Sequence, residues 1–161
     1  MERVGVIVAC IPAKDEERMI ASVVLRAAKH SDKVLVCDDG SHDLTGAISE
    51  RMGALVLRHE RSKGYGSALR TLFEKALALG GDYIVLLDGD GQHNPDDIPR
   101  LVQPLKEGMA DLVIGSRFKG DEKKVPRIRR WGIETITGLS PAVSGVKVSD
   151  AQSGFRAFRG P

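Results

Sequence analysis

This sequence is short of cysteine, of long apolar runs, of net charge and of the common nucleotide-binding signatures, and each shortage bears on function. Cys10 and Cys37 both lie inside apolar runs and lack CxxC spacing. That argues against a disulfide or a catalytic thiol and reads as buried free cysteines in a reducing compartment. No apolar run approaches the ~18 residues of a membrane span, and the opening Met1-Glu2-Arg3-Val4 is not that of a signal peptide. A soluble, cytoplasmic chain is the expectation. The formal charge of +2 is too small to gather nucleic acid through a whole-molecule field, so no nucleic-acid partner is expected, and any phosphate chemistry has to come from local clusters. No Gly-x-Gly-x-x-Gly follows the first apolar run and no Gly-x4-Gly-Lys-Ser/Thr occurs, which weakens dinucleotide and P-loop chemistries.

What is present is an alternation. The chain has 161 residues, 42% of them apolar and 29% charged, enough for one globular domain spanning 1–161. Apolar runs rich in branched residues at 4–11, 33–37, 54–58, 83–87 and 112–115 read as strands. Between them, amphipathic stretches at 16–29, 44–52 and 66–79 read as helices, and a further helix is opened by Asn94-Pro95 and closed by Gly108. Near-continuous apolar strands separated by helices predict an α/β class, an αβα sandwich around a mainly parallel central sheet. Residues 118–130 differ: Lys119, Lys123, Lys124, Arg127, Arg129 and Arg130, interrupted by Gly120 and Pro126, predict a basic loop leading into a helix near Trp131. Taken alone, such a run is ordinarily a solvated surface loop.

In open parallel sheets, ligands bind outside the carboxyl ends of the strands. Four of those ends carry polar clusters: Pro12-Ala13-Lys14-Asp15-Glu16, Asp38-Asp39-Gly40-Ser41, Asp88-Gly89-Asp90-Gly91-Gln92 and Ser116-Arg117. Glu17 and Asp43 suit a first helical turn and a helix cap. Asp38, closing an apolar strand, has to face the crevice or be paired. Asp88 and Asp90, two residues apart, are placed to share one hard cation, Mg²⁺ or Mn²⁺, with Gln92 as a neutral oxygen. An EF-hand beginning at Asp88 fails, because its sixth and twelfth positions are His93 and Pro99. A haloacid-dehalogenase-like phosphohydrolase, with Asp88 as nucleophile, stays a weaker alternative, as does a solvated Asp/Gly turn. Gly64-Tyr65-Gly66 reads as a flexible lead into a helix, with Lys63 near the ligand edge.

Together these segments resemble the family 2 glycosyltransferases of GT-A fold, closest to the polyprenyl-phosphate type that includes dolichol-phosphate mannose synthase. The resemblance rests on Ile11-Pro12-Ala13-Lys14-Asp15-Glu16-Glu17, Asp38-Asp39-Gly40-Ser41, Lys63-Gly64, the run from Leu87 through Asp88-Gly89-Asp90-Gly91-Gln92 to His93-Asn94-Pro95, Ile114-Gly115-Ser116-Arg117 and Ser153-Gly154-Phe155-Arg156, in that order. It implies donor contacts from Pro12, Glu16 and Asp38, with Ala13, Asp39, Lys63 and Asp88 in the same donor-binding set. Asp88, Asp90 and Gln92 would hold the metal and the diphosphate. Asp90, Arg117 and Arg129 are the catalytic assignments, the two arginines beside an acceptor phosphate. The family's Pro-x-Tyr-Asn-Glu is altered here at Lys14 and Asp15, which leaves the donor base open.

The reaction so implied moves a sugar from GDP-mannose or a UDP-hexose to a polyprenyl or dolichyl phosphate, with inversion. A phosphate monoester, with a second pKa of about 6, attacks without a general base. No Glu-Asp pair stands after Arg117 to act as one: Asp121-Glu122 falls too early and Asp150 is alone. Asp150 precedes Ser153-Gly154-Phe155 and either lines the acceptor site or has a structural role in its turn. Trp131, beside Arg129-Arg130, suits an interfacial anchor or core packing equally. The expectation is a catalytic domain truncated at its C-terminus, peripheral at the cytoplasmic face of a membrane, with a membrane-spanning region or partner outside this chain. A noncatalytic nucleotide-sugar-binding module remains the other alternative.

Overall fold

The structure, a computed structural model, describes residues 5–115, 134–136 and 154–161. In chain order it runs β1 (Ile7–Ala13), α1 (Ile20–Ala27), β2 (Lys33–Asp38), α2 (Thr45–Arg51), β3 (Leu55–Arg58), α3 (Tyr65–Ala78) and β4 (Tyr83–Leu86). A 3₁₀ turn at Pro95–Asp97 then leads into α4 (Ile98–Lys106), followed by β5 (Leu112–Ile114), β6 (Glu134–Ile136) and β7 (Arg156–Arg159). The strands form one sheet in the order β3-β2-β1-β4-β7-β5-β6. β1 pairs in parallel with β2 and β4, and β2 with β3. β7 lies antiparallel between β4 and β5, and β6 pairs antiparallel with β5.

Side chains on a strand alternate between faces, and that period separates two cores. Ala9, Ile11, Val36, Val85 and Leu87 pack with Ile20, Val23 and Val24 of α1 and Ile98, Leu101 and Leu105 of α4. Val8, Cys10, Leu35, Cys37, Ile84 and Leu86 face the other way, onto Ala68, Leu72 and Ala76 of α3. The sandwich therefore has helices on both faces, as the apolar runs predict. Each fully buried Leu or Ile, such as Leu72 or Ile11, contributes roughly 1.5–3 kcal/mol over exposure.

The five predicted strands are all present with boundaries shifted by at most a few residues, whereas β6 and β7 are additions. Predicted strand one extends to Ala13, so Pro12 sits inside β1. Its missing amide hydrogen has a consequence: the β1–β4 ladder ends at Cys10 and Leu86, one bond beyond that register running from Leu87 N–H to the Cys10 carbonyl at 3.1 Å. The rung after it would need a proton that proline lacks. β1 and β4 separate there, at the point where the order of strands reverses and where open α/β sheets form their crevice.

The predicted first helix is shorter than its periodicity suggests, since α1 begins at Ile20 and residues 14–19 form a loop. The amides of Asp15, Glu16 and Glu17 donate to Ser41 Oγ, Thr45 Oγ1 and Asp43 Oδ2 at 3.0, 2.7 and 3.1 Å. In return, Asp15 Oδ1 and Glu17 Oε2 accept from the amides of His42 and Leu44 at 2.7 and 3.1 Å. The loop after β1 is thereby tied to the loop after β2. Asp15 has φ +54°, a left-handed conformation that Asp and Asn tolerate better than most residues. Asp43, expected as a helix cap, instead stands one residue before the α2 N-cap Leu44 and accepts from Thr45 N–H at 2.9 Å. As predicted, Asn94 caps the 3₁₀ turn through Asp96 N–H, and Gly108, φ +67°, follows α4.

Candidate active site

A cavity of about 400 Å³ opens where β1 and β4 part. The end of β1 contributes Pro12 and Ala13, and the following loop Lys14 and Glu16. Asp39 enters from β2, Ser62 and Gly64 from the loop after β3, Tyr65 and Ala68 from α3, and Asp88, Gly89 and Asp90 from the loop after β4. Among the residues expected to bind donor or metal, the structure gathers Pro12, Ala13, Glu16, Asp39, Asp88 and Asp90 here.

Asp88 is braced by a buried histidine. Its Oδ2 lies 3.0 Å from Nε2 of His93, whose side chain is 4% exposed and stacks on Phe155, ring centroids 5.3 Å apart and planes inclined by 25°. Its Oδ1 faces the Tyr65 hydroxyl across a long 3.5 Å contact. Burial raises the Tyr65 pKa first, and the charge of Asp88 raises it further against the opposing charge of Arg156. Asp90 is oriented by its own turn, Oδ1 accepting from Gln92 N–H at 2.9 Å. Glu16 is the third carboxylate: its pKa is raised by burial first, then by the negative charges of Asp90, Asp43, Asp88 and Asp15. A concentration of negative charge this close to neutral strand ends is electrostatically costly and favours a cation in the cavity.

Gln92 does not join them. The turn at Gly91, φ +80°, carries Gln92 to the surface, and only its backbone contributes. Lys63 likewise is exposed and acts through its N–H, which donates to Asp39.

Of the two aspartates expected in the donor-binding set, Asp38 and Asp39, only Asp39 lines the cavity. Asp38, 7% exposed, accepts from Ser41 N–H at 2.9 Å and packs so closely on Gly46 of α2 that a Cβ there would collide with its Oδ2. It is absent from the cavity lining, whereas Asp39, the other aspartate of the expected donor-binding set, is part of it. Asp39 accepts from His59 Nδ1 at 2.6 Å, Ser62 Oγ at 2.8 Å and the amides of Lys63 and Gly64 at 2.9 Å each. Burial by itself would raise its pKa; those hydrogen bonds outweigh burial and hold the carboxyl far below the usual range. His59 Nε2 is in turn 3.0 Å from Thr71 Oγ1 and 3.7 Å from Cys37 Sγ. This buried chain fixes the cavity wall from behind.

Both cysteines are free and buried, as expected. Burial pushes the Cys10 thiol up to about 12; burial, with the charges of Asp39 and Asp38 against that of Lys63, pushes Cys37 up to about 11. Neither offers a thiolate at neutral pH. Arg117, Arg129, Trp131, Asp150 and the basic loop lie outside the described residues. His93 and Tyr65, present in quoted motifs, and His59 had no assigned role from the sequence, since single histidines and a tyrosine in a glycine-rich turn carry no spacing signal.

A profile described as "Glycosyl transferase family 2" matches residues 8–160. Among curated proteins, the UDP-N-acetylglucosamine–dolichyl-phosphate N-acetylglucosaminyltransferase of Methanococcus voltae is 35% identical over 168 residues, covering 92% of this chain and 67% of its own length. The polyprenol monophosphomannose synthase of Mycolicibacterium smegmatis is 33% identical over 159 residues, covering 92% and 60%. The chain thus spans about three-fifths to two-thirds of the length of these relatives. Among solved structures, glucosyl-3-phosphoglycerate synthase from Mycobacterium tuberculosis, in complex with Mn²⁺, UDP-glucose and phosphoglyceric acid, is 29% identical with a TM-score of 0.58, covering 69% of this chain and 43% of that one.

Proposed function

This chain belongs to glycosyl transferase family 2 and has the GT-A fold, and on that premise we propose that it moves a sugar from a nucleotide diphosphate donor to a polyprenyl or dolichyl phosphate, inverting the anomeric carbon. The observation that carries the reading is Asp88 and Asp90 sharing one cavity, with Glu16, at the point where β1 and β4 part. The names of the relatives support the acceptor, one being a dolichyl-phosphate N-acetylglucosaminyltransferase and the other a polyprenol monophosphomannose synthase. The phosphohydrolase alternative falls away with the family.

The oxygen donors of Asp88 and Asp90, in an open cavity crowded with negative charge, fit a hard divalent cation, Mg²⁺ or Mn²⁺. Bound there, the cation would neutralise charge developing on the departing diphosphate. The chain's own residues set the rest. Asp88, held by His93, and Asp90, held by its turn, present fixed oxygens. The N-terminus of α3, at Gly64 and Tyr65, adds a positive dipole end beside the phosphates. Pro12, Ala13 and Asp39 form the wall against which the nucleoside rests. Arg117 and Arg129 hold the acceptor phosphate against repulsion from the donor, and the dianionic acceptor attacks without deprotonation.

No helix among the described residues is long and apolar enough to cross a membrane. We place the chain at the cytoplasmic membrane surface as one catalytic domain, meeting its lipid acceptor there, with any membrane-spanning region or partner outside this chain. The test is calorimetry of UDP- and GDP-sugars with and without Mn²⁺, followed by transfer to polyprenyl phosphate by the full-length protein. Asp90→Asn should abolish the metal-dependent part of donor binding; undiminished Mn²⁺-dependent affinity in that variant overturns the reading. Binding without any transfer would reduce the protein to a nucleotide-sugar-binding module.

A further inference from the structure

Asp88 is held on Oδ2 by a buried histidine of its own loop, whereas Oδ1 has only the long 3.5 Å contact with the Tyr65 hydroxyl. His93 Nε2 lies 3.0 Å from Oδ2; an ionised carboxylate only accepts, so the His93 proton sits on Nε2. The ring is 4% exposed and is held by its stack on Phe155. Gly154, the residue before Phe155, packs against the whole carboxylate: a Cβ there would collide with Oδ2 and meet the carboxyl carbon and Oδ1 at 2.8 and 2.9 Å. Oδ1 is the oxygen without a short hydrogen bond; it faces the Tyr65 hydroxyl, and both Asp88 and Tyr65 line the cavity.

From this we infer that His93 is a positioning residue that fixes Asp88 to present a single oxygen, Oδ1, to the cation, and that the Gly154-Phe155 step leading into β7 holds His93 in that role. The inference rests on the proposed metal-dependent reading of the cavity. Its physical basis is that hydrogen-bond partners behind a ligand oxygen set the ligand's orientation, and their loss typically costs about 10–100-fold in metal affinity. His93→Phe keeps the ring volume and the stack on Phe155 but removes the donor. His93→Gln places an amide N–H near the position of Nε2, whereas the shorter His93→Asn does not reach it.

Mn²⁺ affinity is read from the free-ion paramagnetic resonance signal, with saturating UDP and again with GDP, alongside the melting temperature of each variant. His93→Phe should weaken Mn²⁺ binding about 10–100-fold with its melting temperature near that of the parent, and His93→Gln should restore most of the affinity. Should His93→Phe fail to fold, the contrast between Gln and Asn at this position gives the same answer. Wild-type Mn²⁺ affinity in His93→Phe, or equal affinity in the Gln and Asn variants, overturns the inference while leaving the proposed function standing. If the unaltered chain binds no Mn²⁺ with either nucleotide, the proposed function and this inference fall together.

Discussion

Neighbouring aspartates at the end of β2 do different work because their oxygens meet different partners. Asp38 closes its own turn onto Ser41; Asp39 reaches across to the loop after β3 and binds four donors. Removing the Asp39 carboxylate leaves four part-buried donors without their partner, so Asp39→Ala should lower the unfolding free energy by about 1–3 kcal/mol, measurable by urea denaturation. The pH dependence follows from the depressed pKa of Asp39. The unfolded group titrates near 3.9, so the contribution is fully present above that value. It is lost as pH falls through the lower native-state value, because the unfolded chain takes up the proton first. Urea midpoints recorded from pH 6 down to pH 3 should fall in the parent and fall less steeply in Asp39→Asn. A parallel fall in both would show that other carboxylates govern acid sensitivity.

The element that most changes the picture is β7. Its four residues, Arg156–Arg159, show only a weak alternation, too short to announce a strand. It is nevertheless the partner of both β4 and β5. By filling the place between them, it brings Gly154 and Phe155 up against Asp88 and His93. Gly154→Ala should therefore displace the Asp88 carboxylate and weaken Mn²⁺-dependent nucleotide binding about tenfold or more; calorimetry with intact affinity would show that the backbone absorbs the extra methyl group. The loops after β1 and β2 are a second case. Glu17 and Asp43 read locally as helix-start residues, yet Glu17 precedes α1 and Asp43 precedes the N-cap of α2. Their bonds across to each other's loops, through the amides of Leu44 and Glu17, required both strands to be in register first.

Across the whole molecule, the cavity exists because two parts of one sheet diverge: β2 and β3 lie to one side of β1, and β4, β7, β5 and β6 to the other. A ligand seated there touches β1, the loops after β2, β3 and β4, and α3, so its binding energy is linked to global unfolding. For a ligand bound only by the native state, stabilisation grows as RT ln(1 + [L]/Kd), about 2.7 kcal/mol at a hundredfold excess over Kd. Mn²⁺ together with a UDP- or GDP-sugar should therefore raise the melting temperature more than the sum of the two added separately. Strictly additive shifts would mean that metal and nucleotide do not share the cavity.

The sequence by itself determined the alternation of strands and helices, the parallel character of β1 to β4 and the carboxylates of the β4 loop. Each of these is written locally, in apolar period, in caps such as Asn94 and in the two-residue spacing of Asp88 and Asp90. Only the tertiary structure decided that Asp39 rather than Asp38 borders the cavity and that His93, packed on Phe155, holds Asp88. The bonds and contacts responsible join residues far apart in the chain, as Asp39 to Gly64 and Phe155 to His93. Which oxygen is buried and which is offered to a ligand depends on those long-range contacts, and no local pattern of residues encodes them.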